Sequence, residues 1–241
     1  MLIRDSAPRS TARCARSAIV PATSGPRERR RNQDLEPNNS TSFERNRSIP
    51  MVNLTRIYTR TGDDGTTNLG DLSKTSKLDL RLGAYADVDE ANAQIGFALS
   101  LGTLDEDVVT VLTHVQNDLF DVGADLSCPV VEDPEYPPLR VEPDYIARLE
   151  GWCDHYNEQV PKLRSFILRG GTPAAAAVHV ACTVTRRAER SAWAALEEHG
   201  DTMNVLTAKY LNRLSDLLFI LGRFANRAQG DVLWVPGGER E

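Results

Sequence analysis

Between Thr59 and Thr67 the chain reads Thr59-Arg60-Thr61-Gly62-Asp63-Asp64-Gly65-Thr66-Thr67, with Asn68 next and Lys77 further on. These are parts suited to holding a polyphosphate. Glycines let the backbone approach a ligand. Threonine hydroxyls and main-chain N–H groups can donate to phosphate oxygens, and Arg60 and Lys77 supply positive charge. The same residues also suit a plain tight turn, since Asp64-Gly65 is a favoured hairpin dipeptide. Asp63 and Asp64 oppose an anion unless a metal or an N–H donor intervenes. The stretch is not a Walker A sequence. A second polar group lies far downstream. Arg186, Glu189 and Arg190 share one helical face at i, i+3, i+4, with Arg187 turned elsewhere, and this suits either an anion site or a solvated face with Glu–Arg pairs. Asn212 and Asp216 stand one turn apart, either as site residues or as buried polar glue partnered by Arg213 or Arg223. No Glu-x-x-His occurs, which excludes a di-iron bundle site. No C-x-x-C occurs either, so a thiolate zinc site is not expected and metal ligands stay unassigned.

The elements that must position these residues read as helices. Val88, Ala91, Ile95 and Ala98 form one apolar stripe. Val108, Val111, Val115, Leu119 and Val122 form the next, and Ile146, Leu149, Cys153 and Tyr156 come after the start signal Glu142-Pro143-Asp144. Val178, Ala181, Thr185, Ala188 and Ala192 line an Ala-rich helix from Ala174 to His199. Leu211, Leu214, Leu218, Leu221 and Ala225 line the last. Five amphipathic helices without a strong strand pattern predict an all-α antiparallel bundle, preceded by the Gly/Thr-rich loop. Ser127 to Arg140, rich in Pro and acids, is a helix–helix connection. Pro161 to Pro173 is another; there Gly170 and Gly171 permit a sharp or closely packed backbone, and Thr172 suits the cap of a helix opened by Pro173.

The chain has 241 residues, 41% hydrophobic and 26% charged, with a net charge of −6. That charge is uneven. Residues 1–50 hold ten Arg, no Lys and five acids, leaving residues 51–241 at −11. So acidic a body is a poor general nucleic-acid binder. No run of 18 apolar residues is present, so a spanning helix is not expected. Four scattered cysteines, Cys14, Cys128, Cys153 and Cys182, make no disulfide framework and fit a reducing compartment. Residues 1–50 carry few large hydrophobes and are expected to be disordered. Three readings fit this extension: a start-site artefact with Met51 opening the native chain, an organellar transit peptide, or a functional tail. The domain proper is taken as 51–241. The expected location is cytoplasmic, with the mitochondrial matrix as the alternative.

Six segments occur in order: TRTGDDGTT, AYADVDEANAQIG, NDLFDVGADLS, SFILRGG, TRRAER and YLNRLSD. Together they resemble the PduO-type ATP:cob(I)alamin adenosyltransferases over about residues 54–236. The resemblance implies a homotrimer of five-helix subunits with each active site between two of them. It implies transfer of the 5′-deoxyadenosyl group of ATP to the cobalt of cob(I)alamin, with Mg²⁺ accompanying ATP and triphosphate leaving. By the same resemblance, Thr59, Arg60, Thr61, Gly62, Thr67 and Asn68 form the triphosphate cradle, and Lys77 is an ATP lysine. Arg186, Arg187, Glu189 and Arg190 belong to the ATP-contacting helix, and Asn212 is an ATP-binding asparagine. Phe166 occupies the lower cobalt face. Arg186, Asn212 and Phe166 are thus the implied catalytic residues. Cobalt(I) is itself the nucleophile, so the protein's work is positioning and charge neutralisation.

Three positions depart from the family pattern. Cys182 stands where the family has an Arg that pairs across the subunit interface with the aspartate matching Asp89. Arg169 replaces a Pro, and Ala86 a Gly. Cys182 and Arg169 favour the alternative of a catalytically impaired cobalamin-binding or delivery protein of the same fold. Partners implied by the resemblance are a reductase of flavin type and an adenosylcobalamin-dependent mutase.

Overall fold

The computed structural model describes Tyr58 and residues 60–134 and 137–239. The extension 1–50 and Thr59 lie outside the described residues.

Five α-helices carry the fold: α1 (Leu80–Ser100), α2 (Glu106–Ser127), α3 (Pro143–Asn157), α4 (Pro173–His199) and α5 (Leu206–Ala225). Several start where the sequence provides a signal. Asp79 caps α1 by accepting from the N–H of Arg81. Thr172 caps α4 by accepting from that of Ala175, with Pro173 at the first turn. Pro143 opens α3 after extended Glu142.

The apolar stripes face a shared core. Val88, Ile95, Leu112, Leu119, Val178, Leu211, Leu214 and Leu218 are at most 1% exposed. Four helices, α1, α2, α5 and α4, pack in that cyclic order. Each neighbouring pair is antiparallel, as cross-contacts show: Asn92 with Gln116, Asp118 with Tyr210, Cys182 with Ser215, and Asp87 with Ser191. Helix α3 lies outside this square, against α5 and α2. It runs antiparallel to α2, pairing Arg148 with Asp118 and Tyr156 with Asp107. It runs parallel to α5, as the pairs Tyr145–Tyr210 and Tyr156–Phe224 require. The expected antiparallel bundle is corrected to that extent. A fifth helix laid in the groove of two antiparallel ones must be parallel to one of them.

Buried carboxylates tie the layers. Asp125, 1% exposed, accepts from Arg140 Nη1 at 2.6 Å, Val141 N at 2.8 Å and Asn204 Nδ2 at 2.7 Å. It thereby fastens the α2–α3 connection to the start of α5. Asp118 accepts two bonds from Arg148 and one from Tyr210. Before α1, a two-stranded antiparallel hairpin pairs β1 (Thr66–Asn68) with β2 (Lys74–Ser76), Thr67 opposite Thr75.

Candidate active site

The polar loop is built by side chain–backbone bonds. Asp64 accepts from Thr66 N at 3.0 Å and from its hydroxyl at 2.5 Å, and pairs with Lys74 at 3.3 Å. The Thr66 bonds, with Lys74 adding to them, lower its pKa to about 2. Asp64 is therefore spent on shaping the loop. The chain reverses between the strands at residues 69–73, not at Asp64-Gly65, which forms its own turn with Gly65 at φ 80°. Arg60 is also left-handed, at φ 63°.

Gly62 has a packing reason. A Cβ there would lie 3.0 Å from Lys77 Nζ and 3.0 Å from the Thr66 carbonyl. The Lys77 ammonium thus folds directly over Gly62, and Lys77 N donates to the Gly65 carbonyl at 2.9 Å. Arg60, Thr61 and Asn68 are exposed beside them, and Thr67 is half-buried. Asp79 anchors the loop to the bundle. Its carboxylate accepts from Thr75 Oγ1 at 2.8 Å and meets His199 Nε2 at 2.8 Å. Burial raises its pKa, but the bonds from Arg81 N, Thr75 and His199 outweigh burial and leave it below the ordinary value.

A second cluster sits on α4 and α5. Asn212 Nδ2 donates to Glu189 Oε1 at 2.8 Å, and the Trp193 indole donates to the same oxygen at 3.3 Å. Arg186 and Arg190 have no ion-pair partner among the described residues, and Arg186 is exposed. Arg187 faces the other way, pairing with Asp87 at 3.2 Å and with Glu90 on α1. It clamps α4 to α1, away from the face that carries Arg186. Asn212 is exposed rather than buried, and Arg213 serves Glu150 and Asp216 instead.

Phe166 forms a third site, 79% exposed. Its ring meets Trp234 edge-on at 6.2 Å. The Trp234 N–H donates to the Phe166 carbonyl at 2.7 Å, and Leu168 N to the Val232 carbonyl at 2.8 Å. Sequence reasoning misses Trp234, because nothing in the sequence ties residue 234 to residue 166. Gly171, at φ 107°, is held so close to Asn226 that a Cβ would come within 2.3 Å of its Oδ1. Asn226 receives Thr172 N and donates to the Gly230 carbonyl, which fixes both ends of this loop.

Asp89 is exposed on α1 and shares a groove of about 570 Å³ with Asn68, Tyr85 and Phe120. Cys182 does not meet it. Cys182 is 0% exposed within one chain, its thiol donating to the Ser215 carbonyl at 3.2 Å. The side chain is enclosed between α4 and α5. Arg169 lies elsewhere, with its guanidinium over the Phe219 ring at 5.4 Å.

The loop and the α4–α5 cluster are not joined in one chain. The loop meets α4 at His199, thirteen residues beyond Arg186, a rise of about 20 Å. Residues 57–225 match the family model described as cobalamin adenosyltransferase. The chain belongs to the cobalamin adenosyltransferase family. Among its relatives, a corrinoid adenosyltransferase of Mycobacterium tuberculosis is 65% identical over 189 residues, covering 78% of this chain and 97% of that protein. The human corrinoid adenosyltransferase is 37% identical over 183 residues, covering 74% and 72%. Among solved structures, a variant PduO-type ATP:corrinoid adenosyltransferase from Lactobacillus reuteri, complexed with cobalamin and ATP, has a TM-score of 0.69 and 35% identity. That match covers 75% of this chain and 100% of the neighbour. The five-helix architecture of this chain agrees with that likeness. No helix among the described residues is long and apolar enough to cross a membrane.

Proposed function

We infer that the chain is an ATP:corrinoid adenosyltransferase, making adenosylcobalamin and triphosphate from ATP and cob(I)alamin. The observation that carries this is 65% identity to a corrinoid adenosyltransferase over 97% of that enzyme's length. The cobalt(I) electron pair forms the bond to the ribose 5′-carbon. The carbon–oxygen bond breaks, and its electron pair leaves with the triphosphate.

The residues fit that division of labour. Lys77, Arg60 and the loop N–H groups receive the triphosphate, and Arg186 and Arg190 neutralise the charge that grows on it. Glu189 and Asn212 fix the nucleoside end through their shared bond. Phe166 covers the lower cobalt face and keeps an axial base away. The unit performing this is residues 51–241, working as a homotrimer with sites between subunits. Support for that assembly is that Asp79, which follows the loop, meets α4 at His199, a helical rise of about 20 Å beyond Arg186. Exposed Leu78, Phe97 and Phe120 give apolar surface for such contacts. Asp89 shares a groove with Phe120 on that surface.

Among the described residues no group of three or more His, Cys, Asp and Glu is arranged to hold a metal ion. That fits Mg²⁺ carried chiefly by phosphate oxygens. Bound so, the ion would add charge neutralisation at the leaving group. The chemistry also needs a reductase upstream to supply cobalt(I) and an adenosylcobalamin-dependent enzyme downstream.

The test is to mix the protein with ATP, Mg²⁺ and chemically reduced cobalamin. Enzyme-dependent loss of cob(I)alamin, with adenosylcobalamin and triphosphate formed one to one, is expected. Corrinoid binding without either product would overturn the reading.

A further inference from the structure

A groove that begins at Phe166 is larger than a lower-face cap needs. Its volume is about 700 Å³, within the ~300–1,000 Å³ usual for small-molecule sites. Three aromatic rings line it, Phe166, Phe219 and Trp234, together with Arg164 and Arg169. No carboxylate among the described residues lines it. Both arginines are exposed and have no ion-pair partner among the described residues. The Arg169 guanidinium lies 5.4 Å from the centre of the Phe219 ring. The walls are held in register by the main-chain bonds between residues 166–168 and 232–234, and by Ser165 Oγ donating to the Trp234 carbonyl at 3.3 Å.

Flat aromatic faces beside unpaired cations complement a flat heterocycle tethered to an anion. Cobalamin carries such a piece. Its nucleotide tail joins a phosphodiester, through ribose, to dimethylbenzimidazole. When a phenylalanine takes the lower cobalt face, that base is displaced but remains tethered beside the lower edge of the ring. The groove opens at the same side chain. We propose that this groove holds the displaced nucleotide tail, with the base against Trp234 and Phe219 and the phosphodiester at Arg164 and Arg169. The inference rests on the reading of Phe166 given above. Arg169 stands where the resembling family carries proline.

The experiment compares cob(I)alamin with cob(I)inamide, which lacks the tail, at saturating ATP and Mg²⁺. The proteins compared are the wild type, Arg169→Ala, Arg169→Lys and Arg164→Ala. Arg169→Ala is expected to raise KM for cobalamin about tenfold, the loss of roughly one charge-assisted contact. KM for cobinamide is expected to change by no more than about twofold, the scale of an effect with no lost contact. Arg169→Lys restores most of the cobalamin affinity, and Arg164→Ala repeats the selective loss. Equal shifts for both corrinoids, or no shift for either, would overturn the tail site. Wild-type protein that turns over neither corrinoid would instead remove the adenosyltransferase reading on which the tail site depends.

Discussion

Asn212 on α5 donates to Oε1 of Glu189 on α4 at 2.8 Å, and Trp193 reaches the same oxygen. This bond orients a carboxylate and an amide on the surface that also carries the unpaired Arg186. Charge-neutralising or orienting groups of this kind are worth about 10²–10³ in turnover. Arg186→Ala and Asn212→Ala are therefore expected to lower kcat by about 100-fold. Size-exclusion elution should stay unchanged, because neither side chain is part of the core. Near wild-type turnover in either variant would remove it from the site.

Phe166 is exposed and aromatic, and it contacts Trp234 rather than the core. Its truncation should leave the thermal midpoint almost unmoved. Phe166→Ala should slow adenosylation that starts from cobalt(II) and a reductant far more than adenosylation of pre-reduced cobalt(I). Equal losses in the two assays would contradict its place beneath the cobalt.

His179 is 3% exposed, its Nδ1 has no hydrogen-bond partner, and its ring fills the space over Gly222. Burial, with Arg169 next in weight and Arg223 adding, lowers its pKa to about 4 against the opposing pull of Asp231. An unfolded histidine titrates near ~6.5. Between these values the unfolded chain binds the extra proton, so stability falls as pH drops from ~6.5 to ~4, by about 3 kcal/mol. Urea unfolding across that range should show the slope, and His179→Gln should flatten it. A wild-type midpoint that does not vary over this window would contradict the buried neutral state.

Asp125 has three donors aimed at it from Arg140, Val141 and Asn204. Removing the carboxylate strands a largely buried guanidinium, at a cost of about 3–5 kcal/mol. Asp125→Ala should lower the thermal midpoint by roughly ten degrees or more. A drop of only a degree or two would mean that water replaces the carboxylate without loss.

The helices are legible in the sequence because their evidence is local. Val108 to Val122 and Leu211 to Leu221 repeat at helical spacing, and Pro143, Thr172 and Pro173 mark starts. The direction of α3 is not legible, because no local pattern says which groove a fifth helix enters. The polar loop stands out by its residue types, yet Asp64 reads as an obstacle to phosphate until its bonds to Thr66 explain it. Arg187 separates from Arg186 by helical angle alone. Asn212 can be placed on α5 but not on Glu189, since that contact joins residues 23 apart across two helices. The contact of Cys182 with Ser215 is not legible either, because that carbonyl is main chain and carries no sequence signature. Trp234 escapes for the same reason: its tie to Phe166 runs through backbone atoms.

The pairing of residues 166–168 with 232–234 divides the chain's tasks unevenly. The last large core side chain is Phe224, so the bundle is complete before residue 232. Residues 232–234 serve instead as a splint for one loop. A proteolytic nick or frameshift just after Asp231 would therefore spare the fold and unfasten the loop that carries Phe166, leaving an intact scaffold that passes tests of folding while that loop swings free.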